Sequence, residues 1–170
     1  MPEPAKYHGK YRGTVVTNTD PLQIGRIQAQ VPDVLGDTAS SWAMPAVPVA
    51  GPHMGQYVLP PVGAGVWIEF EQGDKNYPIW SGCWWGTSSE VPPDALAGSP
   101  GQPNMVLQSQ GQHTIVLSDV PGGPGITLKT AGGAMLVIND SGITITNGKG
   151  ATISLTGSTV TINDQALTVT

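Results

Sequence analysis

The sequence contains few charged residues, and basic residues are the scarcer kind. Charged residues make up 11% of the 170 residues, and seven lysines and arginines stand against twelve acidic residues, for a net charge of −5. Binding to nucleic acid needs clustered basic side chains that neutralise phosphates. This composition therefore argues against a nucleic-acid partner.

Cysteine and long apolar runs are also scarce. The single cysteine, Cys83, excludes a disulfide framework. Its position in an apolar stretch between Trp80 and Trp84 predicts a buried, inert thiol rather than a nucleophile. No segment approaches the ~20 apolar residues of a membrane helix, and the first twenty residues do not read as a signal peptide. We therefore expect a soluble protein that is made and assembled in the cytoplasm.

Aromatic residues are absent from the second half of the chain. All of them lie before residue 86, which predicts one domain with its own core followed by a repetitive part without one. Abundant glycine and proline, with no helical periodicity, indicate an all-β protein. We divide the chain into an N-terminal arm (1–10), a barrel domain (11–86), a Pro/Gly/Ser-rich linker (87–104) and a strand-rich repeat (105–170).

The last part of the sequence alternates between apolar and small polar residues. Alternation with period two is typical of a strand with one buried face. The pattern also repeats, because LVINDSGITIT (136–146) aligns with VTINDQALTVT (160–170), with identical Ile, Asn, Asp and two Thr. An internal repeat of short strands predicts a stacked, quasi-linear β architecture, with the Asn-Asp pairs as turns.

The apolar face of these strands has no partner within its own segment. The opposite face is dominated by Thr, Ser and Asn, and neither an aromatic residue nor a helix follows that could cover the apolar side chains. Full burial of each is worth roughly 1.5–3 kcal/mol, so copies of the segment are expected to cover one another in an intertwined oligomer. The predicted interface consists of Ile115, Leu117, Ile126, Leu128, Leu136, Ile138, Ile143, Ile145, Ile153, Leu155, Val160, Ile162, Leu167 and Val169.

The first domain reads as a series of short strands separated by turns, with no helix. About five strands over some 80 residues are typical of a small, partly closed barrel of the oligonucleotide/oligosaccharide-binding (OB) type. The strand segments are 11–18, 25–31, 57–59, 65–71 and 78–85, and the apolar segment 42–49, which Pro45 and Pro48 interrupt, suits an edge strand or an extended connection.

Four segments of this domain carry a family resemblance. In order, they are YRGTVVTNTDPLQIGRIQAQVPDV, WAMPAVPVAG, VGAGVWIEFEQGD and PIWSGCWWG. They resemble the OB domain of baseplate assembly protein V, a family that includes the central spikes of contractile phage tails, R-type pyocins and other contractile injection systems. The resemblance implies an OB barrel followed by a homotrimeric, triple-stranded β-helix needle that is assembled in the bacterial cytoplasm.

The sequence departs from the larger members of this family in three places. Residues 86–104 are too few for the lysozyme domain that some members carry. No hub domain precedes the barrel, so the resemblance implies a separate trimeric hub protein on the N-terminal side. No histidine follows His113, so the metal-bound apex of some spikes is not expected. A separate tip protein of the Pro-Ala-Ala-Arg repeat class is expected instead, bound to Leu167, Thr168, Val169 and Thr170.

No set of residues predicts catalysis, a cofactor or a metal site. Glu69 and Glu71 lie two apart on the polar face of one strand, which favours a solvated or hub-facing strand over an acid/base pair. The three histidines lie far apart in sequence, with no cysteine or carboxylate at ligand spacing.

We therefore expect a structural spike that pierces the target cell envelope when a sheath contracts, with only transient contact to the target membrane. An alternative is an adhesin-like module, in which a trimeric OB barrel binds glycan or another ligand on a β-stalk. An exposed groove with stacked aromatic residues would favour that alternative. Without nearby basic residues, we assign the tryptophans to the core or to a protein interface.

Overall fold

The computed structural model describes residues 5–169, except for the side chains of Gln165 and Thr168. The chain forms two compact units, 1–86 and 87–170. The boundary falls where the aromatic residues end, so each unit has its own composition and is described by itself.

The first unit is built on a five-stranded sheet in the order β2-β1-β6-β7-β3, with a separate hairpin, β4-β5. Neighbouring strands are antiparallel except β3 and β7, which are parallel. One-turn helix α1 follows β2, although the sequence predicted no helix in this domain. The elements are β1 Tyr11–Thr17, β2 Gln28–Gln30, α1 Pro32–Leu35, β3 Met44–Pro45, β4 Ala50–Gly51, β5 Met54–Gly55, β6 Gly65–Phe70 and β7 Pro78–Trp84.

The sheet curls until its two ends are joined by backbone hydrogen bonds. The amide of Ile27 donates to the carbonyl of Ala43 at 3.2 Å, and the amide of Ala43 donates to the carbonyl of Ile27 at 2.7 Å. Shifts of register between β1 and β2 and between β6 and β7 bend the strands, as β-bulges do. The enclosed core consists of Val15, Ile27, Ala29, Val31, Ala43, Val66, Ile68, Phe70 and Trp80. The predicted OB-type barrel is therefore confirmed.

One predicted strand of this unit is wrong. Residues 57–59 form no ladder, and the hairpin β4-β5 lies just before them. Tyr57 and Leu59 instead place their side chains beside Gly25. Pro60 and Pro61 follow directly and lack the amide hydrogens that a ladder needs.

The second unit is an eight-stranded antiparallel sheet in which each strand pairs with its neighbours in sequence, from β8 to β15. One-turn helix α2, Pro93–Leu96, precedes the sheet. The strands are β8 Met105–Gln108, β9 Thr114–Leu117, β10 Ile126–Lys129, β11 Met135–Asn139, β12 Gly142–Thr146, β13 Thr152–Thr156, β14 Thr159–Ile162 and β15 Leu167–Val169.

The turns of this sheet depend on asparagine and glycine, as predicted. The side-chain oxygen of Asn139 accepts from the amide of Ser141 in the β11-β12 turn, and that of Asn163 accepts from the amide of Thr152 at 3.0 Å. Gly142 has a φ of 139°, and a Cβ there would collide with the carbonyl oxygen of Leu155. A side chain at this position would separate β12 from β13.

Candidate functional site

The register of the second sheet places sixteen apolar residues on one face, which we call the apolar face. Residues that pair directly across an antiparallel ladder lie on the same side of the sheet. One row runs through Leu107, Ile115, Leu128, Leu136, Ile145, Ile153, Ile162 and Leu167. The other runs through Met105, Leu117, Ile126, Ile138, Ile143, Leu155, Val160 and Val169.

In the single chain, no residue of the apolar face is buried. Twelve of them are exposed, from Leu155 at 38% to Met105 at 68%, and the other four are half-buried. A monomeric protein rarely exposes a contiguous apolar surface of this extent. The face therefore has the character of an interaction surface.

All fourteen residues predicted for the interface lie on the apolar face. Sequence reasoning missed Met105 and Leu107, which stand two apart in β8 as the other pairs do. This spacing could have identified the two residues from the sequence. They were missed because β8 precedes the repeat and lies beside the predicted linker.

The residues predicted to bind a tip protein lie at β15, the last strand of the sheet. Leu167 and Val169 are 55% and 58% exposed. Thr168 pairs with Thr161 through the backbone, and its side chain lies outside the description. Thr170 lies outside the described residues. Within those residues, β15 pairs only with β14, so its outer backbone groups form an edge.

Contacts with other groups of the chain are made by Trp42, Trp67, Trp80 and Trp84. Trp80 lies in the core, and its Nε1 donates to the carbonyl oxygen of Gly25 at 3.0 Å. The guanidinium of Arg12 lies 4.9 Å from the ring centre of Trp84 and 5.7 Å from that of Trp67. Such cation–π contacts use ring faces on which a base or sugar would stack. Trp85 is 63% exposed.

A buried ion pair organises the Asn-x-Asp-Pro turn. Arg26 donates from Nη2 and Nε to Oδ1 of Asp20 at 2.6 and 3.0 Å, and the backbone amides of Leu22, Ile24 and Arg26 also donate to this carboxylate. The hydrogen bonds from the Arg26 side chain, with those from the amides, hold the pKa of Asp20 well below its ordinary value. Arg26 also stacks 5.3 Å from the ring centre of Trp42. The turn, Asn18 to Pro21, lies in the first of the four segments that carry the family resemblance, but the sequence did not predict the buried carboxylate.

The carboxylate of Glu69 takes part in a surface ion pair rather than in a catalytic pair. Lys10 Nζ lies 3.2 Å from Glu69 Oε1 and 2.6 Å from Ser81 Oγ. Hydrogen bonds from Ser81 and then Lys10 lower the pKa of Glu69.

Among residues 5–169, no group of three or more His, Cys, Asp and Glu side chains is arranged to hold a metal ion. No helix in that range is both apolar and long enough to span a membrane.

The prediction of a buried Cys83 is wrong, because this residue is exposed. Trp80, three residues earlier on the same strand, lies in the core. Cys83 pairs with Val66 beyond a register shift between β6 and β7, next to the last residue of β7. Neighbouring atoms still shield the thiol in part, and this desolvation raises its pKa.

The barrel carries a groove of about 500 Å³ beside the β4-β5 hairpin. Its walls are mostly apolar and include Met44, Val49, Met54, Tyr57 and Val58, each at least 47% exposed. Two aromatic residues line the groove, the exposed Tyr57 and the core residue Trp80. The groove therefore offers an apolar contact surface rather than a stack of exposed rings.

Comparison with known families assigns both units. Residues 11–85 match the type VI secretion system/phage-baseplate injector OB domain. Residues 104–168 match the phage baseplate V C-terminal trimerisation domain, which supports a homotrimer. No curated protein is similar enough to count as a match. The order of the two domains and their combined coverage of most of the sequence show that the chain belongs to the baseplate V spike family, the structural proteins of phage baseplates and type VI injectors.

Proposed function

We propose that this chain is the central spike of a contractile tail or injection particle and pierces the target envelope mechanically when the sheath contracts. The observation that carries the proposal is the apolar face, which leaves sixteen residues uncovered in a chain of a trimerising family. A sheet whose apolar face can be covered by the same face of other copies is suited to forming a rigid shaft.

Three copies would turn their apolar faces towards a common axis and wrap as a triple-stranded β-helix. Two rows of eight side chains per copy would then be removed from water, which is worth tens of kcal/mol for the trimer at roughly 25 cal/mol per Å². The Thr-rich faces would point to solvent. This arrangement explains why polar and apolar residues alternate through β8–β15.

The backbone of such a shaft would resist axial load. Strands β9 to β14 are each hydrogen-bonded on both sides within one chain. Paired amides and carbonyls are costly to separate, because the groups would lose their partners. Force along the shaft would therefore be shared among many ladder bonds.

The barrel end would dock on a separate trimeric hub protein in a particle assembled in the bacterial cytoplasm. Three-fold symmetry matches three barrels to three hub subunits. Residues 1–10 would contribute to the contact, and the apolar groove beside β4-β5 provides a surface for it. The net charge of −5 disfavours nucleic acid as the partner.

The other end would carry a small tip protein of the Pro-Ala-Ala-Arg repeat class. Strand β15 offers an unpaired edge and two exposed apolar side chains, Leu167 and Val169. An uncovered strand edge of this kind associates with other strands unless something blocks it. Backbone pairing, together with Thr168 and Thr170, would complete the contact.

The test uses particles assembled with the wild-type chain, without the chain, and with Leu155→Asp or Ser154→Asp. Leu155 lies on the apolar face, whereas its neighbour Ser154 lies on the polar face and serves as the matched control. Sheath contraction is followed by electron microscopy and penetration by a membrane-potential dye in target cells. We expect penetration to be lost without the chain, strongly reduced with Leu155→Asp and retained with Ser154→Asp. Normal penetration by particles that lack the chain would contradict the proposal.

A further inference from the structure

The segment between the two family matches is folded against the second sheet. Helix α2 lies within it, and Asp94 Oδ2 of this helix is 2.6 Å from Lys129 Nζ on β10. Lys129 pairs with Thr114 across the ladder and therefore lies on the polar face, opposite the apolar face. The helix is thus fixed over the polar side of the first strands of the sheet.

The far end of the segment turns back to the same helix. Asn104, just before β8, donates from Nδ2 to the carbonyl oxygen of Asp94 at 2.8 Å. Between them, the amide of Gln102 donates to the carbonyl oxygen of Ser99 at 2.9 Å. Gly98 allows the turn to close, since a Cβ there would collide with the carbonyl oxygen of Gln102. The segment is therefore a closed loop anchored at Asp94.

The polar face is buried on β9 and β10, where the ion pair to Lys129 attaches the loop, and only half-buried farther along the sheet. Thr114, Val116 and Thr127, on β9 and β10, are 4%, 4% and 6% exposed. Thr144 and Ser154, on the same face of β12 and β13, are half-buried. The hydroxyl of Thr127 has no hydrogen-bond partner in the structure. Something covers the start of this face, and the anchored segment is the element attached there.

We infer that residues 87–104 act as a strap on the outer face of the needle base rather than as a flexible linker. The strap shortens the free connection between barrel and sheet, because the chain is held from Asp94 onwards. In the trimer of the proposed function, three straps would form a collar on the polar side, where they leave the apolar faces free to meet. Force transmitted from the barrel would then reach the sheet at its first strands, which the strap supports.

The strap is tested in the purified full-length chain by substituting the two glycines of its turn. Gly98→Ala forces a methyl group against the Gln102 carbonyl, whereas Gly101→Ala meets nothing within 4 Å and is the matched control. Hydrogen exchange of the amides in 93–104 reports opening of the strap. We expect exchange about tenfold faster in Gly98→Ala than in the wild type, and no change in Gly101→Ala.

A second pair of variants tests whether the strap covers the polar face, and both variants leave the strap itself unchanged. Thr127→Val removes an unpartnered hydroxyl from the covered position, and Thr144→Val is the control on the half-buried part of the same face. We expect slower exchange of the β10 amides in Thr127→Val alone. Wild-type exchange in 93–104 at the rate of an unstructured peptide, or equal effects of the two valine variants, would overturn the strap. Light scattering on the same samples reports the trimer, so failure of the strap is distinguishable from failure of the spike assignment.

Discussion

The two units solve the same problem, the burial of apolar side chains, in opposite ways. The barrel encloses nine core residues within one chain, whereas the second sheet buries none of the sixteen residues of its apolar face. Both units are made of short alternating strands. The difference lies in closure, because the first sheet bonds its two ends together and the second remains open. A closed sheet stabilises a single chain, and an open one makes stability depend on other copies.

The largest effect is expected from a substitution that places a charge on the apolar face of the second sheet. Ile145→Asp would place three carboxylates near the axis of the proposed trimer, where unpaired charge is costly to bury. We expect the purified variant to lose its trimer at micromolar concentration, as measured by light scattering. Thr144→Asp changes the adjacent residue on the other face and is expected to remain trimeric. An Ile145→Asp trimer of unchanged thermal stability would show that the apolar face does not point inward.

A cavity in the barrel should affect only the barrel. Trp80→Ala removes a core side chain that is 7% exposed, and large-to-small changes of this kind cost about 3–5 kcal/mol. We expect the barrel transition to shift to a lower denaturant concentration while the chain remains a trimer. Trp85→Ala, at a residue that is 63% exposed, is the control and should change little. Loss of the trimer in Trp80→Ala would show that the units do not stabilise themselves separately.

The smallest effect is expected at Asp20, and it depends on pH. Its pKa is lower in the folded barrel than in the unfolded chain, where it is about 3.9. The carboxylate therefore stabilises the barrel fully above that unfolded value, and this contribution is lost as the pH falls towards the lower folded pKa. Asp20→Asn should lower the melting temperature of the barrel at pH 7 and flatten its decline in acid. Asp37→Asn, on an exposed residue, provides the baseline. Identical acid profiles for the two variants would contradict the role of the Asp20–Arg26 pair.

The strands of both units could be predicted from the sequence wherever a local pattern determines the structure. Alternation in 65–70 and through β9–β15 is a local property, and the side that each residue faces follows from it. The Asn139-Asp140 turn was predictable for the same reason, because the asparagine side chain accepts from the backbone amide two residues on, whereas the side chain of Asn163 accepts from Thr152 on β13.

The features that were predicted wrongly depend on contacts between residues that are distant in the sequence. Cys83 lies among apolar residues in the sequence and is nevertheless exposed near the end of β7, where burial depends on what the rest of the barrel covers. Residues 57–59 look like a strand, but they form no ladder and lie beside Gly25 from a distant part of the sequence. The anchoring of 87–104 depends on Lys129, some 35 residues from Asp94 in the sequence. From its composition alone, we predicted that segment to be a linker.

The internal repeat determines the steps by which the second sheet could be lengthened. The two aligned sequences, 136–146 and 160–170, correspond to the hairpins β11-β12 and β14-β15, each with an Asn-Asp turn. Strands in a sheet are spaced about 4.8 Å apart, so one additional hairpin would extend the sheet by roughly 10 Å. It would also add two residues to each row of the apolar face, and the existing pairing would be preserved. Duplication of a hairpin would therefore lengthen the sheet in discrete steps, and under the proposed function each step would add to the reach of the spike.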